Sequence, residues 1–177
     1  LSKLHQIKDV SFGFKEDNFI GSLPQLNHRY SNANDFVISG RFEPMLKLAV
    51  DKGLFREEYQ EDFKVFCHNI QDYFKEEMPS LIHGDLWSGN HACVGNDEPC
   101  IFDPAVCYGL PGFDFAMLRL FGKPPAQFYE GYFGSTAKVK ELENAWEILS
   151  LYYLLVHLVL FGRSYLAPVV GILKKYR

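Results

Sequence analysis

Tyr59, Phe63, Phe66, Ile70 and Tyr73 recur at steps of four, three, four and three. That spacing puts them on one face of an α-helix, which Pro79 closes. A second helical pattern runs from Asp35 to Lys52, with Gly53 as its stop. Further helices are expected over Phe113 to Phe121, Pro125 to Phe133 and Glu141 to Phe161. The last is apolar on more than one face, as a core helix is. Between these halves the period changes. Leu81-Ile82 reads as a short apolar strand entering a polar loop at 83–90. His91 to Val94 and Cys100 to Phe102 read as two strands joined through Gly95-Asn96-Asp97-Glu98-Pro99, which has turn chemistry. Residues 1–8 resemble the tail of a helix. Residues 11–32, with Gly, Pro, Asn and Ser and no clear period, read as a long ordered loop, and such loops are usually functional. The fold class expected is α+β: mostly helical, with a small β-hairpin carrying the polar residues.

The 177 residues are 47% hydrophobic, enough for one domain with a sizeable core. A net charge of −4 argues against a nucleic-acid partner, which selects for a basic stripe. Cys67, Cys93, Cys100 and Cys107 form no CxxC pair and read as buried free thiols of a reducing compartment. The most apolar run, Ile148 to Phe161, is shorter than the roughly 20 residues a bilayer needs, so no membrane partner is expected. The first residues have no signal or transit pattern and no initiator Met. The expectation is a cytoplasmic protein whose chain here begins part-way along.

The chemistry gathers in Leu81-Ile82-His83-Gly84-Asp85-Leu86-Trp87-Ser88-Gly89-Asn90, followed by Asp103. One carboxylate, an amide five residues on, and a second carboxylate after a hairpin is the layout phosphoryl transfer requires. Asp85, beside Gly84 at a strand end, suits acceptance of a proton from an attacking hydroxyl. Asn90 and Asp103 offer the oxygen ligands that Mg²⁺ prefers. Asn90 opens one strand of the expected hairpin and Asp103 closes the other, so pairing returns them to each other. His83 reads as a brace for the loop. Trp87 reads equally as core or as a flat face for a sugar, and Ser88 and Gly89 as turn formers. No glycine-rich phosphate loop or nucleotide-pairing lysine precedes these residues.

At these residues the sequence resembles the fructosamine kinase (ketosamine-3-kinase) family, within the protein-kinase-like and aminoglycoside-phosphotransferase-like fold. The resemblance extends to Leu1-Ser2-Lys3-Leu4-His5, to Phe12-Gly13-Phe14 with the segment Asn18 to Gln25, and to Phe102-Asp103-Pro104-Ala105-Val106. It continues through Leu120-Phe121-Gly122 and Phe128-Tyr129 to the late stretch 157–166. It implies that Asp85 is the catalytic base, and that Asn90 and Asp103 bind Mg²⁺ and hence the ATP. The implied reaction moves the ATP γ-phosphate to the 3-hydroxyl of a small-molecule or protein-bound ketosamine, a step associated with protein deglycation. It also implies that residues 1–177 are the C-terminal catalytic lobe of a kinase-like fold whose N-terminal nucleotide lobe lies outside this chain. Ala33, Val37, Gly40 and Gly112 depart from the family pattern and bear on acceptor preference. Two other readings stand beside this one: a related aminoglycoside- or choline-type phosphotransferase, and a catalytically silent binding fragment.

Overall fold

The computed structural model describes residues 1–75, 77–95 and 98–177. In chain order the elements are α1 (Ser2–His5), β1 (Asn18–Ile20), β2 (Leu23–Gln25), α2 (Ala33–Val37), α3 (Glu43–Asp51) and α4 (Gln60–Asn69). Then follow β3 (Ser80–Ile82), β4 (His91–Val94), β5 (Glu98–Ile101), β6 (Cys107–Gly109), α5 (Pro111–Leu120), α6 (Ala126–Phe133), α7 (Ala137–Phe161) and α8 (Leu166–Lys175). The strands form three antiparallel pairs, β1 with β2, β3 with β6, and β4 with β5.

Helix α7 is the axis, packed by α3, α5 and α8. By length and composition its 25 residues could cross a membrane, but it is largely buried inside the fold. Trp146, Ile148, Leu149, Leu151, Tyr152 and Tyr153 are all inaccessible, on more than one face, which is why the apolar pattern there shows no clean stripe. Aromatic rings fill much of the space beside it. Phe115 of α5 stacks on Trp146 with centroids 4.7 Å apart and meets the Tyr132 ring edge-on at 4.8 Å.

Several sequence expectations change. The helix expected through Tyr59 and Tyr73 to Pro79 is confined to Gln60–Asn69, with Tyr59 and Tyr73 in single 3₁₀ turns on either side. The segment 11–32 is not all loop. It contains the β1–β2 hairpin, with Asn18 opposite Gln25 and Ile20 opposite Leu23. Three residues per strand are too few to show alternation, and tertiary hydrogen bonds rather than local propensity hold them. The helix expected from Asp35 to Lys52 is divided. Asn32 caps α2 by accepting from the Asp35 backbone N–H, and a π-turn over Ile38–Phe42 then separates α2 from α3. The wide turn sets Gly40 against the Tyr30 ring, where a Cβ would stand 2.9 Å from a ring carbon, and carries Arg41 into the interior. Helix α8 lies where the pattern suggested no element. Pro168 sits in its first turn, where a missing N–H costs nothing, and Val169, Ile172 and Leu173 are buried.

The cysteine expectation also divides. All four are free, and Cys107 is buried, but Cys93 is exposed because it lies on the outlying β4–β5 hairpin. Asn96 and Asp97 of the expected turn lie outside the described residues.

Removal of the Phe115 ring, which joins α5, α6 and α7, should destabilise the protein by about 3–5 kcal/mol. Urea unfolding of Phe115→Ala against the parent measures this.

Candidate active site

Strand β3 is only three residues long, yet it delivers the polar loop 83–90 to the centre of the molecule. It pairs with β6, Ile82 opposite Cys107, so the residues just after Ile82 face the residues just before Cys107. The two polar segments therefore meet at a sheet end. Gly84 adopts φ +81°, and a Cβ there would stand 2.1 Å from the Ala105 carbonyl oxygen. Only glycine permits both the left-handed backbone and that approach.

The turn is held from beneath by a residue that spacing did not reveal. Asp114 of α5 is wholly buried. Its Oδ2 accepts from the His83 backbone N–H at 2.9 Å, and its Oδ1 from the Gly84 N–H at 2.8 Å. His5 Nε2 approaches Oδ2 at 2.9 Å, and His5 Nδ1 meets the Tyr132 hydroxyl at 2.6 Å. From above, the Tyr153 hydroxyl of α7 donates to the Gly84 carbonyl at 2.9 Å. Burial pushes the Tyr153 phenol well up, so the hydroxyl keeps its proton and stays a donor. The available signal for Asp114 was a lone acid among Phe113, Phe115, Ala116 and Met117, because an acid in an apolar helix face is buried only with partners.

His83 is buried and bonds backbone on both sides. Nδ1 accepts from the Asp85 N–H at 3.3 Å, so Nε2 carries the hydrogen and donates to the Phe102 carbonyl at 2.8 Å. It therefore ties the loop to the residue before Asp103. Asn90 is also buried. Its Nδ2 donates to the Asp85 carbonyl at 2.9 Å, to Asp85 Oδ2 at 3.3 Å and, at the limit of 3.4 Å, to the Asp103 carbonyl. Asp103 is exposed. It is the one non-glycine residue with positive φ among those described, at 53°, a conformation Asp tolerates better than most.

The donor chemistry of these two side chains, an amide oxygen and a carboxylate, suits a hard divalent cation. The amide nitrogen of Asn90 is committed to Asp85, which leaves Oδ1 as the atom that a cation would use. The Asp103 carboxylate has no salt-bridge partner among the described residues. Two protein oxygens with phosphate and water as the remaining ligands is the usual manner of holding Mg²⁺.

Asp85 is half-buried and opens onto a cleft of about 510 Å³. Its lining includes Ile20 and Gly21 of the first hairpin, Trp87 and Phe121, and His157 and Phe161 of α7. Trp87 is 40% exposed, and its ring lies over Gly89, where a Cβ would come within 2.3 Å of it. His157 points Nδ1 at the Tyr153 carbonyl, 2.7 Å away, within an aromatic cage whose Tyr165 ring centroid is 5.0 Å from its own. Burial pushes the Asp85 carboxyl up from the ordinary carboxylate value, against the lowering effects of His83, His157 and the Asn90 hydrogen bond. A carboxylate raised in this way is a better proton acceptor than a free one.

The fructosamine kinase family model matches residues 1–177. The chain belongs to the fructosamine kinase family. It is 35% identical over 182 residues to a protein of Enterococcus faecium named a probable ketoamine kinase, covering 99% of this chain and 64% of that protein. It is 37% identical over 180 residues to the chloroplastic protein-ribulosamine 3-kinase of Arabidopsis thaliana, covering 99% of this chain and 55% of that one. The solved structure of a candidate fructosamine-3-kinase from Thermobifida fusca superposes with a TM-score of 0.87 at 30% identity, over 98% of this chain and 60% of that one. The fold is thus the α+β, kinase-type fold of the family. The chain spans less than two thirds of the length of the curated relatives it matches.

Two stability effects follow from this site. Ionised Asp85 is disfavoured in the folded state, so its cost is absent below the ordinary value of 3.8, grows as pH rises towards the raised folded value, and persists above it. Asp85→Asn should therefore melt above the parent at pH 7, with the gap closing in acid, as thermal unfolding across pH would record. Asp114→Asn confronts a backbone N–H with an amide NH₂ and should cost about 3–5 kcal/mol in urea unfolding.

Proposed function

We propose that the protein transfers the γ-phosphoryl group of ATP to the 3-hydroxyl of a ketosamine, the adduct of a sugar with an amine. The observation that carries this reading is the convergence of the Asp85, Asn90 and Asp103 segments. Asn90 hydrogen-bonds backbone on both the Asp85 and the Asp103 segments, and Asp85 opens onto a cleft. Family membership supports the same reaction.

In this mechanism Asp85 accepts the proton of the attacking hydroxyl as the sugar oxygen bonds to phosphorus, and the bond from the γ-phosphorus to its bridging oxygen breaks to release ADP. Asn90 and Asp103 would hold Mg²⁺ through Oδ1 and a carboxylate oxygen. When bound, the ion neutralises charge on the phosphates. Trp87 offers a flat apolar face beside Asp85, suited to the carbon face of a sugar. His83 keeps the two loops in register.

The cleft argues for a weakly charged acceptor. Among the described residues Asp85 is the one carboxylate in its wall, and the rest is largely aromatic and aliphatic. A polycationic aminoglycoside would find little to pair with there. The remaining part of the ATP site, and with it catalysis, is assigned to the longer protein of which residues 1–177 would form the catalytic lobe. A phosphorylated ketosamine is unstable, so deglycation of amines and proteins is the biological role that fits. Four unpaired thiols accord with a reducing, cytoplasmic setting.

The test is ATP turnover with a fructosyl-lysine acceptor by the whole protein. Asp85→Ala should lower kcat by about 10²–10⁴-fold, with KM for the acceptor changed only a few-fold. Turnover within a few-fold of the parent would remove Asp85 as the base.

A further inference from the structure

The hairpin β1–β2 contributes only Ile20 and Gly21 to the cleft, yet it carries a group of amides that the reaction does not use. Gln25 and Asn27 are buried, at 2% and 3% exposure, and Asn18 is half-buried. Asn18 and Gln25 face each other across the hairpin, and Gln25 Nε2 donates to Asn18 Oδ1 at 2.9 Å. Both then reach away from their own hairpin. Gln25 Nε2 also donates to the Ala105 carbonyl at 3.0 Å, and Asn18 Nδ2 donates to the Val106 carbonyl at 2.8 Å. These carbonyls belong to the second and third residues after Asp103.

The pair is braced from behind. The Tyr152 hydroxyl donates to Gln25 Oε1 at 2.8 Å, and burial pushes that phenol up, so it remains a donor. Asn27 Nδ2 donates to Asn18 Oδ1 at 3.0 Å. Buried Arg41 donates in turn to Asn27 Oδ1 and the Leu26 carbonyl, both at 2.7 Å. Arg41 has no carboxylate partner among the described residues. It is held by carbonyls and by the Phe36 ring, 4.5 Å from its guanidinium carbon. A buried arginine spent on bracing amides is a large commitment of polarity to one short hairpin.

The gripped residues lie between the two functional loops. Ala105 presents to Gly84 the same carbonyl that Gln25 holds, at a spacing that excludes a Cβ. Gln25 therefore bears on Asp85 through Gly84. Together with Asn18 it bears on Asp103 through the peptide units that follow the left-handed turn. The fixed carbonyls leave that turn little freedom to relax towards an ordinary conformation.

We infer that Asn18 and Gln25 are positioning residues that hold the Asp103 carboxylate in place for the metal–nucleotide complex by gripping the Ala105 and Val106 carbonyls. The inference rests on the phosphotransferase reading above. It assigns a task to the amides of the first hairpin, and it predicts that their loss is felt first in metal affinity.

The test is a titration of the whole protein with Mn²⁺ in the presence of saturating ADP, followed by electron paramagnetic resonance, with ADP affinity measured separately in chelator. Gln25→Met should weaken Mn²⁺ binding about 10-fold or more, the range found when support of a ligand is removed. Metal-free ADP affinity should stay within about two-fold, since no nucleotide contact is altered. Asn18→Ala, at a half-buried position, should act in the same direction and provides the measurement if Gln25→Met does not fold. Ile148→Val, which loosens the α7 core elsewhere, should lower the melting temperature without changing Mn²⁺ affinity. Mn²⁺ binding unchanged in the hairpin variants, or weakened equally in Ile148→Val, would overturn the inference while leaving the phosphotransferase reading intact. Absence of Mn²⁺ binding by the unaltered protein would overturn both.

Discussion

The buried carboxylate of Asp114, receiving two consecutive backbone N–H groups, is the constraint on which the remaining geometry depends. A tight turn after a three-residue strand has no secondary structure to hold it, and two inward-facing N–H groups without acceptors would each cost about 1–3 kcal/mol. Asp114 satisfies both from a helix that is itself locked into the aromatic core by Phe113 and Phe115. The loop thereby acquires the rigidity of α5, although it contains no regular structure.

From that anchor the site is assembled by carbonyls as much as by side chains. His83 reaches the Phe102 carbonyl, Asn90 the Asp85 carbonyl, Tyr153 the Gly84 carbonyl, and Gln25 the Ala105 carbonyl. All but the Asn90 contact join a residue of one segment to the backbone of another, so the two acidic residues are held by a mesh of main-chain contacts. Such a mesh suits phosphoryl transfer, in which the protein contributes position and charge rather than covalent chemistry. It has its own expense: a raised carboxyl at Asp85 and left-handed backbone at Asp103 both oppose stability at the place where function is proposed.

The main helices were legible in the sequence. Of the expected Tyr59–Tyr73 face, Phe63 and Phe66 lie buried on α4, whose end at Asn69 makes Ile70 the cap, because a 3.6-residue period records burial directly; α7 was legible from its long apolar run rather than from a stripe. The β1–β2 hairpin was not legible: its strands are three residues each, and its stability comes from Gln25, Asn18 and Arg41 meeting partners roughly 15 to 90 positions away. The π-turn at Ile38–Phe42 was hidden for a related reason, since an extra residue in a helix leaves no mark on composition. Cys93 was read as buried because cysteine usually is; the outlying hairpin overrides that preference.

The sequence alone determined the family and the candidate residues: Asp85, Asn90 and Asp103 occur at a spacing that a short hairpin can bring together, and motif residues from end to end point to one family. Local spacing suffices there because the three residues lie within a single stretch of chain. Only the tertiary structure decided what holds them. Asp114, His5, Tyr153 and the amides of the first hairpin come from distant segments, and their roles rest on hydrogen bonds across many intervening residues. A linear pattern records which residues are apolar or acidic. It does not record which backbone carbonyl a buried amide will meet once the helices have packed.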